Sequence, residues 1–210
     1  MEINNILFFD IETEGNPEVY DIMPEPTAPA NYKDADKIAA YIAEKKAEQQ
    51  SMAALDADYG RIIAIGMQLG LNSNPISYTV NDHYSETEGI RIFWENFAKA
   101  HGVSCGYNII GFDLPYIMRR SFALGVKPSI IPNLAKYQTY PTIDLMGILY
   151  NWGQAKGLKW VCKRYGIENP LPDLDGSKVK DMDQETLIKY SINDVKLIVD
   201  LYKKMDGIYF

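Results

Sequence analysis

At 210 residues, with 47% apolar and 12% aromatic side chains, the chain is long enough for one sizeable core and short for two, which excludes a disordered protein. Two cysteines far apart, two histidines that do not bracket them and no apolar stretch of membrane length exclude a zinc finger and a helical bilayer span. A net charge of -7 argues against a tight duplex binder that works by phosphate neutralisation alone.

Residues 3–10 read as a buried strand, an apolar run that stops at a charged turn. Its core, Ile6-Leu7-Phe8-Phe9, is too short for a signal peptide, and with Cys105 and Cys162 expected as reduced thiols the setting expected is cytoplasmic. Residues 15–57 read as an insertion: 15–31 are rich in Pro, Glu and Ala, and 34–55 are helical with Ile38, Tyr41, Ile42 and Met52 on a narrow apolar stripe. Residues 61–69 and 76–80 are predicted strands. A helix over 86–101 turns Ile90, Ile92, Phe93, Phe97 and Ala98 inward and closes at Gly102. A strand over 103–108 follows, and Asp113 is a natural N-cap for a helix over 114–124 that Gly125 ends. A short extended piece at 138–143 precedes helices near 145–152 and 158–165. A PLPDLDGS loop then leads to a long helix from about 183 to 205. Strands early and helices late around one core predict a single α/β domain over 1–210, with helices covering a mixed sheet.

Four acids stand out in order along these elements. Asp10 and Glu12 lie at i and i+2, so on a strand both carboxylates share a face and can converge on one metal ion. The D-x-E spacing is weak without its strand, since it recurs at Asp183 and Glu185. Asp113 falls at a strand-to-helix switch, where α/β sites tend to form, and one of its oxygens can cap while the other binds metal. Tyr190 and Asp194 are one helical turn apart. The chain holds five Y-x-x-x-D pairs where chance predicts about one, so context must choose among them. Tyr32/Asp36 and Tyr78/Asp82 precede Asp113, Pro141 disfavours a helix through Tyr140/Asp144, and Tyr202/Asp206 sits at a fraying end. Tyr190/Asp194 lies in the body of the last helix among Leu187, Leu197, Ile198 and Leu201, where a buried carboxylate needs a partner that a metal ion supplies.

The ordered set resembles the DEDD 3′-to-5′ exonucleases of the ribonuclease H-like superfamily, in the subgroup with tyrosine in the third motif. FDIET matches the first motif, Asn108, Phe112 and Asp113 the second (N-x-x-x-F-D), and Tyr190 with Asp194 the third. In the histidine subgroup a histidine would fall at position 189, which here is Lys189. The second motif and the length look most like stand-alone exonucleases related to the proofreading domain of family-B DNA polymerases. The likeness spans most of the chain and leaves out the 15–57 insertion. It implies a ribonuclease H-like mixed sheet and two Mg²⁺ or Mn²⁺ ions, one held by Asp10, Glu12 and Asp194, the other by Asp10 with Asp113. Tyr190 would orient the attacking water, and backbone near Thr13 with the side chains of Asn108 and Phe112 would hold the terminal nucleotide. The structural readings of Phe112 as core and Asn108 as a turn cap stay open beside that.

The resemblance implies hydrolysis of single-stranded or frayed DNA from the 3′ end, with release of nucleoside 5′-monophosphates. The same chemistry on RNA, and a non-catalytic ribonuclease H-like interaction module, are the alternatives. Single-stranded nucleic acid, DNA ahead of RNA, is the expected partner. A polymerase or another repair or replication protein is a further one, proofreading would act in trans, and no membrane is expected. Charge is uneven: residues 1–102 carry 7 Lys+Arg against 17 Asp+Glu, and residues 103–210 carry 14 against 11. Lys156, Lys159, Lys163 and Arg164 form a basic run that reads as a solvated helix face more often than as a strand-binding patch.

Overall fold

The computed structural model describes residues 5–81 and 83–210. Five strands, β1 (Leu7–Gly15), β2 (Gly60–Leu69), β3 (Ile76–Thr79), β4 (Ser104–Gly106) and β5 (Thr142–Asp144), form one sheet in the order β3-β2-β1-β4-β5. β1, β2 and β3 pair antiparallel, whereas β4 and β5 run parallel to β1. The helices are α1 (Ala35–Met52), α2 (Glu86–Lys99), α3 (Asp113–Ala123), α4 (Leu145–Leu149), α5 (Leu158–Arg164) and α6 (Gln184–Met205). A mixed sheet with helices on both faces is the ribonuclease H-like α/β architecture expected from the motifs.

The alternation of side chains along β1 sorts the two cores. Leu7, Phe9 and Ile11 pack with Ile90, Phe93 and Phe97 of α2 and with Leu114 and Ile117 of α3. Ile6 and Phe8 pack on the opposite face with Val161 of α5 and Val195, Ile198 and Tyr202 of α6. Each such side chain contributes about 1.5–3 kcal/mol when fully buried, so a slip of one residue would invert both cores and the register of β1 is firmly set. Asp10 and Glu12 share the parity of Phe8. They continue its row on the face that α6 covers.

Gly66 makes that cover close. It pairs with Asp10 across β1 and β2, and a Cβ on it would lie 2.7 Å from both the Ser191 carbonyl oxygen and Val195 Cγ2. A glycine here lets the backbone of α6 approach the sheet beside Asp10.

Several boundaries differ from expectation for local reasons. β1 does not stop at Asp10 but runs to Gly15, because β2 stays paired with it as far as Gly60. Ile3 and Asn4 of that strand, and Asp82 of one Tyr/Asp pair, lie outside the described residues. β4 is shorter than 103–108, since Asn108 turns the chain with φ 67°. Asp113 is not the N-cap of α3: Phe112 occupies that place without a side-chain bond, and Asp113 is the first helical residue. α4 ends at Leu149 and not near 152. The loop before α6 holds a 3-10 helix, Gly176–Asp181, whose Val179 is buried against Ile63 and Tyr190.

Most of the insertion lies outside the two cores, and only Ala57 at its return joins the one beneath α2 and α3. α1 buries none of its side chains, and Met52 of its apolar stripe is exposed. The segment is fastened at its return, where Ala53 and Ala57 are buried and Thr13 Oγ1 donates to the Ala54 carbonyl at 2.7 Å. A buried Arg120–Glu86 ion pair at 2.8 Å, with Glu86 also accepting from Ile62 N–H and Arg120 reaching the Ala57 carbonyl, clamps α2, α3, β2 and that return together.

Candidate active site

β1 outruns β4: Leu7 and Phe8 pair with Ser104 and Cys105, and beyond them β1 has no strand on that side among the described residues. The backbone there still needs acceptors. Ile11 N–H finds one in Asp113 Oδ1, at 3.1 Å and fully buried. The Asp113 carboxylate thus substitutes for the missing strand and ties the start of α3 to the sheet between Asp10 and Glu12. This notch lies at the carboxyl ends of two parallel strands, where α/β folds place their sites.

Asp10 and Glu12 from β1 and Asp194 from α6 converge: one carboxylate oxygen of each lies within 4.8 Å of the others. An irregularity in β1–β2 pairing falls at the same place, with Glu12 opposite Ala64 and Thr13 opposite Ile62, so that Ile63 is extra. Such bulges re-aim side chains and are common beside active sites. Asp113 stands outside the mutual group of three. Tyr190, one turn before Asp194 on the buried face of α6, packs with Ile63, Val179 and Leu187.

Electrostatics mark the cluster as undercompensated. Burial pushes the Asp10 carboxyl well above the usual range, and repulsion from Asp113, Glu12 and Asp194 adds to it. Glu12 is raised for the same reasons, burial first and then Asp194 and Asp113. Burial lifts Asp113 to about 7 against the opposing pull of the Ile11 N–H bond. Asp194 is raised by burial and held down in part by Lys159, Tyr190 and Asn193. Burial, then the charge of Asp194, drives the Tyr190 phenol far above its ordinary value, so it stays protonated at neutral pH.

Lys159 supplies the cation at this cluster. Its Nζ donates to Tyr190 Oη at 2.8 Å and to the Leu174 carbonyl at 2.6 Å, and lies 3.7 Å from Asp194 Oδ2. The basic run does not share one exposed face: α5 turns Lys159 inward and leaves Lys163 and Arg164 outside, with Lys156 exposed just before the helix. One ammonium set against Asp10, Glu12 and Asp194 leaves a deficit of positive charge. An oxygen-only set with that deficit suits a hard divalent cation, so the residues present fit Mg²⁺ or Mn²⁺, and the buried acidic cluster can bind a metal ion.

The second motif is organised by a residue the motifs do not contain. Asp144, fully buried at the end of β5, accepts from the N–H groups of Asn108, Ile110, Met146 and Gly147 at 2.9–3.2 Å. It caps α4 and holds the turn that leads to Asp113. In sequence its signal was an Asp at a strand-to-helix step, masked by its place in a rejected Tyr/Asp pair. Asn108 is in the left-handed conformation that its side chain tolerates. Phe112 is half-buried, its ring 5.4 Å from that of Tyr116. The Thr13 hydroxyl is engaged by the Ala54 carbonyl, which leaves backbone as what that position can offer a ligand.

No family model matches the chain, and no curated protein matches it. Among solved structures it is similar to the family B DNA polymerase from the hyperthermophilic archaeon Pyrobaculum calidifontis, with a TM-score of 0.61 and 20% identity over 95% of this chain. The chain spans 24% of that polymerase's length, and because the match covers 95% of this chain it takes in most of residues 15–57, which were expected to fall outside the likeness. At this identity the likeness establishes a shared fold, the ribonuclease H-like one.

Proposed function

We propose that the protein is a metal-dependent 3′-to-5′ exonuclease that hydrolyses single-stranded or frayed DNA and releases nucleoside 5′-monophosphates. The observation that carries the reading is the convergence of Asp10, Glu12 and Asp194 from a strand and a distant helix within 4.8 Å, beside a buried Asp113. A structural role explains Asp113 by itself. It does not explain three further acids gathered around it at the cost of their ionisation.

In this reading Asp10, Glu12 and Asp194 hold one divalent ion, and Asp10 with Asp113 holds the second. Divalent ions at such a site supply Lewis acidity to a phosphate and lower the pKa of a bound water. Tyr190 accepts from Lys159, which turns its O–H toward the Asp194 carboxylate, where it would meet a water or phosphate oxygen held by the acids. Held protonated, it orients and does not abstract a proton. Lys159 fixes both Tyr190 and Asp194 and offsets part of the carboxylate charge. Asn108 and Phe112, on the turn before Asp113, and backbone at Thr13, beside the pairing irregularity, border the acids and would hold the 3′-terminal nucleotide. The likeness to a DNA polymerase supports DNA over RNA.

The test is cleavage of a 5′-labelled single-stranded DNA oligonucleotide with Mg²⁺, Mn²⁺ or EDTA, for wild type and Asp113→Asn. A ladder shortening from the 3′ end, metal-dependent and lost in the variant, is the expected result. Digestion of a matched RNA and not of DNA would move the substrate, and digestion of neither would leave a binding module.

A further inference from the structure

We propose that α5 is the track on which the single strand enters the site, with Trp160 stacking a base and Lys156, Lys163 and Arg164 taking its phosphates. The inference rests on the exonuclease reading for its direction and on α5 itself for its substance. The register of this short helix is fixed from within. Val161 and Cys162 are buried in the core, Lys159 reaches Tyr190 and Asp194, and the Tyr107 hydroxyl donates to the Lys156 carbonyl just before the helix starts.

Helical geometry then assigns the rest of the surface. At about 100° per residue, Lys163 lies next to Lys159 one turn on, Trp160 follows around the cylinder, and Arg164 lies one turn beyond Trp160. Lys156, at the entry to the helix, places its Nζ 6.0 Å from the centroid of the Trp160 ring. Lys156, Lys163 and Arg164 are exposed and pair with no acid among the described residues. Trp160 itself is 50% exposed.

A face that served solubility alone would need the charges and not the indole, since exposed tryptophan is unfavourable and acids are abundant elsewhere in this chain. Aromatic faces interleaved with unpaired cations are what single-stranded nucleic acid requires, because every base presents a π-face and every linkage a negative charge. Duplex DNA hides its base faces and would gain nothing from Trp160. The arc begins at Lys159, whose ammonium is already within the site, so a strand lying on α5 arrives at the carboxylates.

Binding of fluorescein-labelled oligothymidylate, followed by anisotropy in EDTA so that nothing is cleaved, tests the track. Trp160→Ala is expected to weaken binding about tenfold, and joint Lys156→Gln, Lys163→Gln and Arg164→Gln to flatten the slope of log K against log salt by about 2. Tryptophan fluorescence of the wild type should be quenched by the oligonucleotide and much less so in Trp160→Phe. Unchanged affinity and salt slope in both variants, or an equal loss for a blunt duplex, would overturn the proposal. Turnover of thymidine 5′-monophosphate p-nitrophenyl ester by the wild type reports separately on the site: its absence counts against the exonuclease reading and leaves the binding result to decide the track.

Discussion

Asp113 Oδ1 accepts a hydrogen bond from Ile11 N–H across 102 positions of sequence, and this one contact joins the first and second acidic motifs. It explains why the acid must be an aspartate at the mouth of α3: the same side chain completes the edge of β1 and faces Asp10. The two duties separate on substitution. Asp113→Asn retains an acceptor and loses the charge, so near-native melting with cleavage reduced at least a hundredfold is expected. Asp113→Ala also strands a buried N–H and should cost a further ~1–3 kcal/mol in thermal unfolding. Full activity in Asp113→Asn would remove this residue from the chemistry.

The raised carboxyls give a pH dependence of definite sign. In EDTA the folded protein holds protons on Asp113, with its value near 7, and on Asp10, Glu12 and Asp194 that the unfolded chain has already released. Stability is therefore fully present below the unfolded carboxylate value, about 4, and is lost as pH rises through the folded values. The melting temperature in EDTA should fall from about pH 5 to about pH 8. Mn²⁺ at a hundredfold excess over its Kd should recover ~3 kcal/mol at the higher pH, a rise of roughly 5–10 °C. Calorimetry that showed the opposite slope, or indifference to Mn²⁺, would mean that these acids do not share a metal.

Lys159 joins Tyr190 to Asp194, and its replacement should be felt in turnover more than in folding. Lys159→Met keeps the aliphatic stem and removes a charge-assisted donor worth about 1.5–3 kcal/mol. A kcat at least tenfold lower is expected from steady-state assays, with a fall in melting temperature of roughly 3–10 °C that leaves the protein folded at the assay temperature. Equal kcat would reduce Lys159 to a surface residue that happens to point inward.

Gly66 permits α6 to lie against β2, and the residues its Cβ would strike, Ser191 and Val195, bracket Asp194. Gly66→Ala should destabilise by about 1–3 kcal/mol through overpacking. Because the displaced helix carries Tyr190 and Asp194, activity measured well below the melting temperature should fall by far more than the folded fraction does. Proportional losses would show that α6 absorbs the methyl elsewhere.

Asp144 satisfies four backbone N–H groups on two segments, so Asp144→Ala leaves several buried donors without partners. A loss of about 2–4 kcal/mol is expected by denaturant unfolding. Hydrogen exchange at Asn108 and Ile110 should accelerate beyond the global change. Protection that persists there would shift the anchoring of this turn to the neighbouring chain.

Element type was legible wherever one periodicity dominated over a long stretch. The alternation in FFDIET and the apolar stripe of α6 put side chains where their spacing said, since burial of one face leaves a single register. The inner face of α2 is rotated from the expected one: Ile90, Phe93 and Phe97 are buried as expected, Trp94 joins them, and Ile92 and Ala98 are only partly buried. Boundaries were less legible. β1 reaches Gly15 because β2 remains beside it, and Asp113 enters α3 because its carboxylate is claimed by Ile11. Both outcomes depend on partners remote in sequence, which no local propensity records.

The sequence by itself determined the acids, their order and the faces they occupy, because i and i+2 on a strand and i and i+4 on a helix are fixed by backbone geometry alone. Only the tertiary structure decided that Asp10, Glu12 and Asp194 meet within 4.8 Å, and that Lys159 turns toward them while Lys156 and Lys163 turn away. It also decided that Asp144 holds the turn that delivers Asp113. The reason is physical: convergence depends on how closely α6 can approach β2, and that distance is set by the missing side chain of Gly66 and by two cores packed on opposite faces of β1.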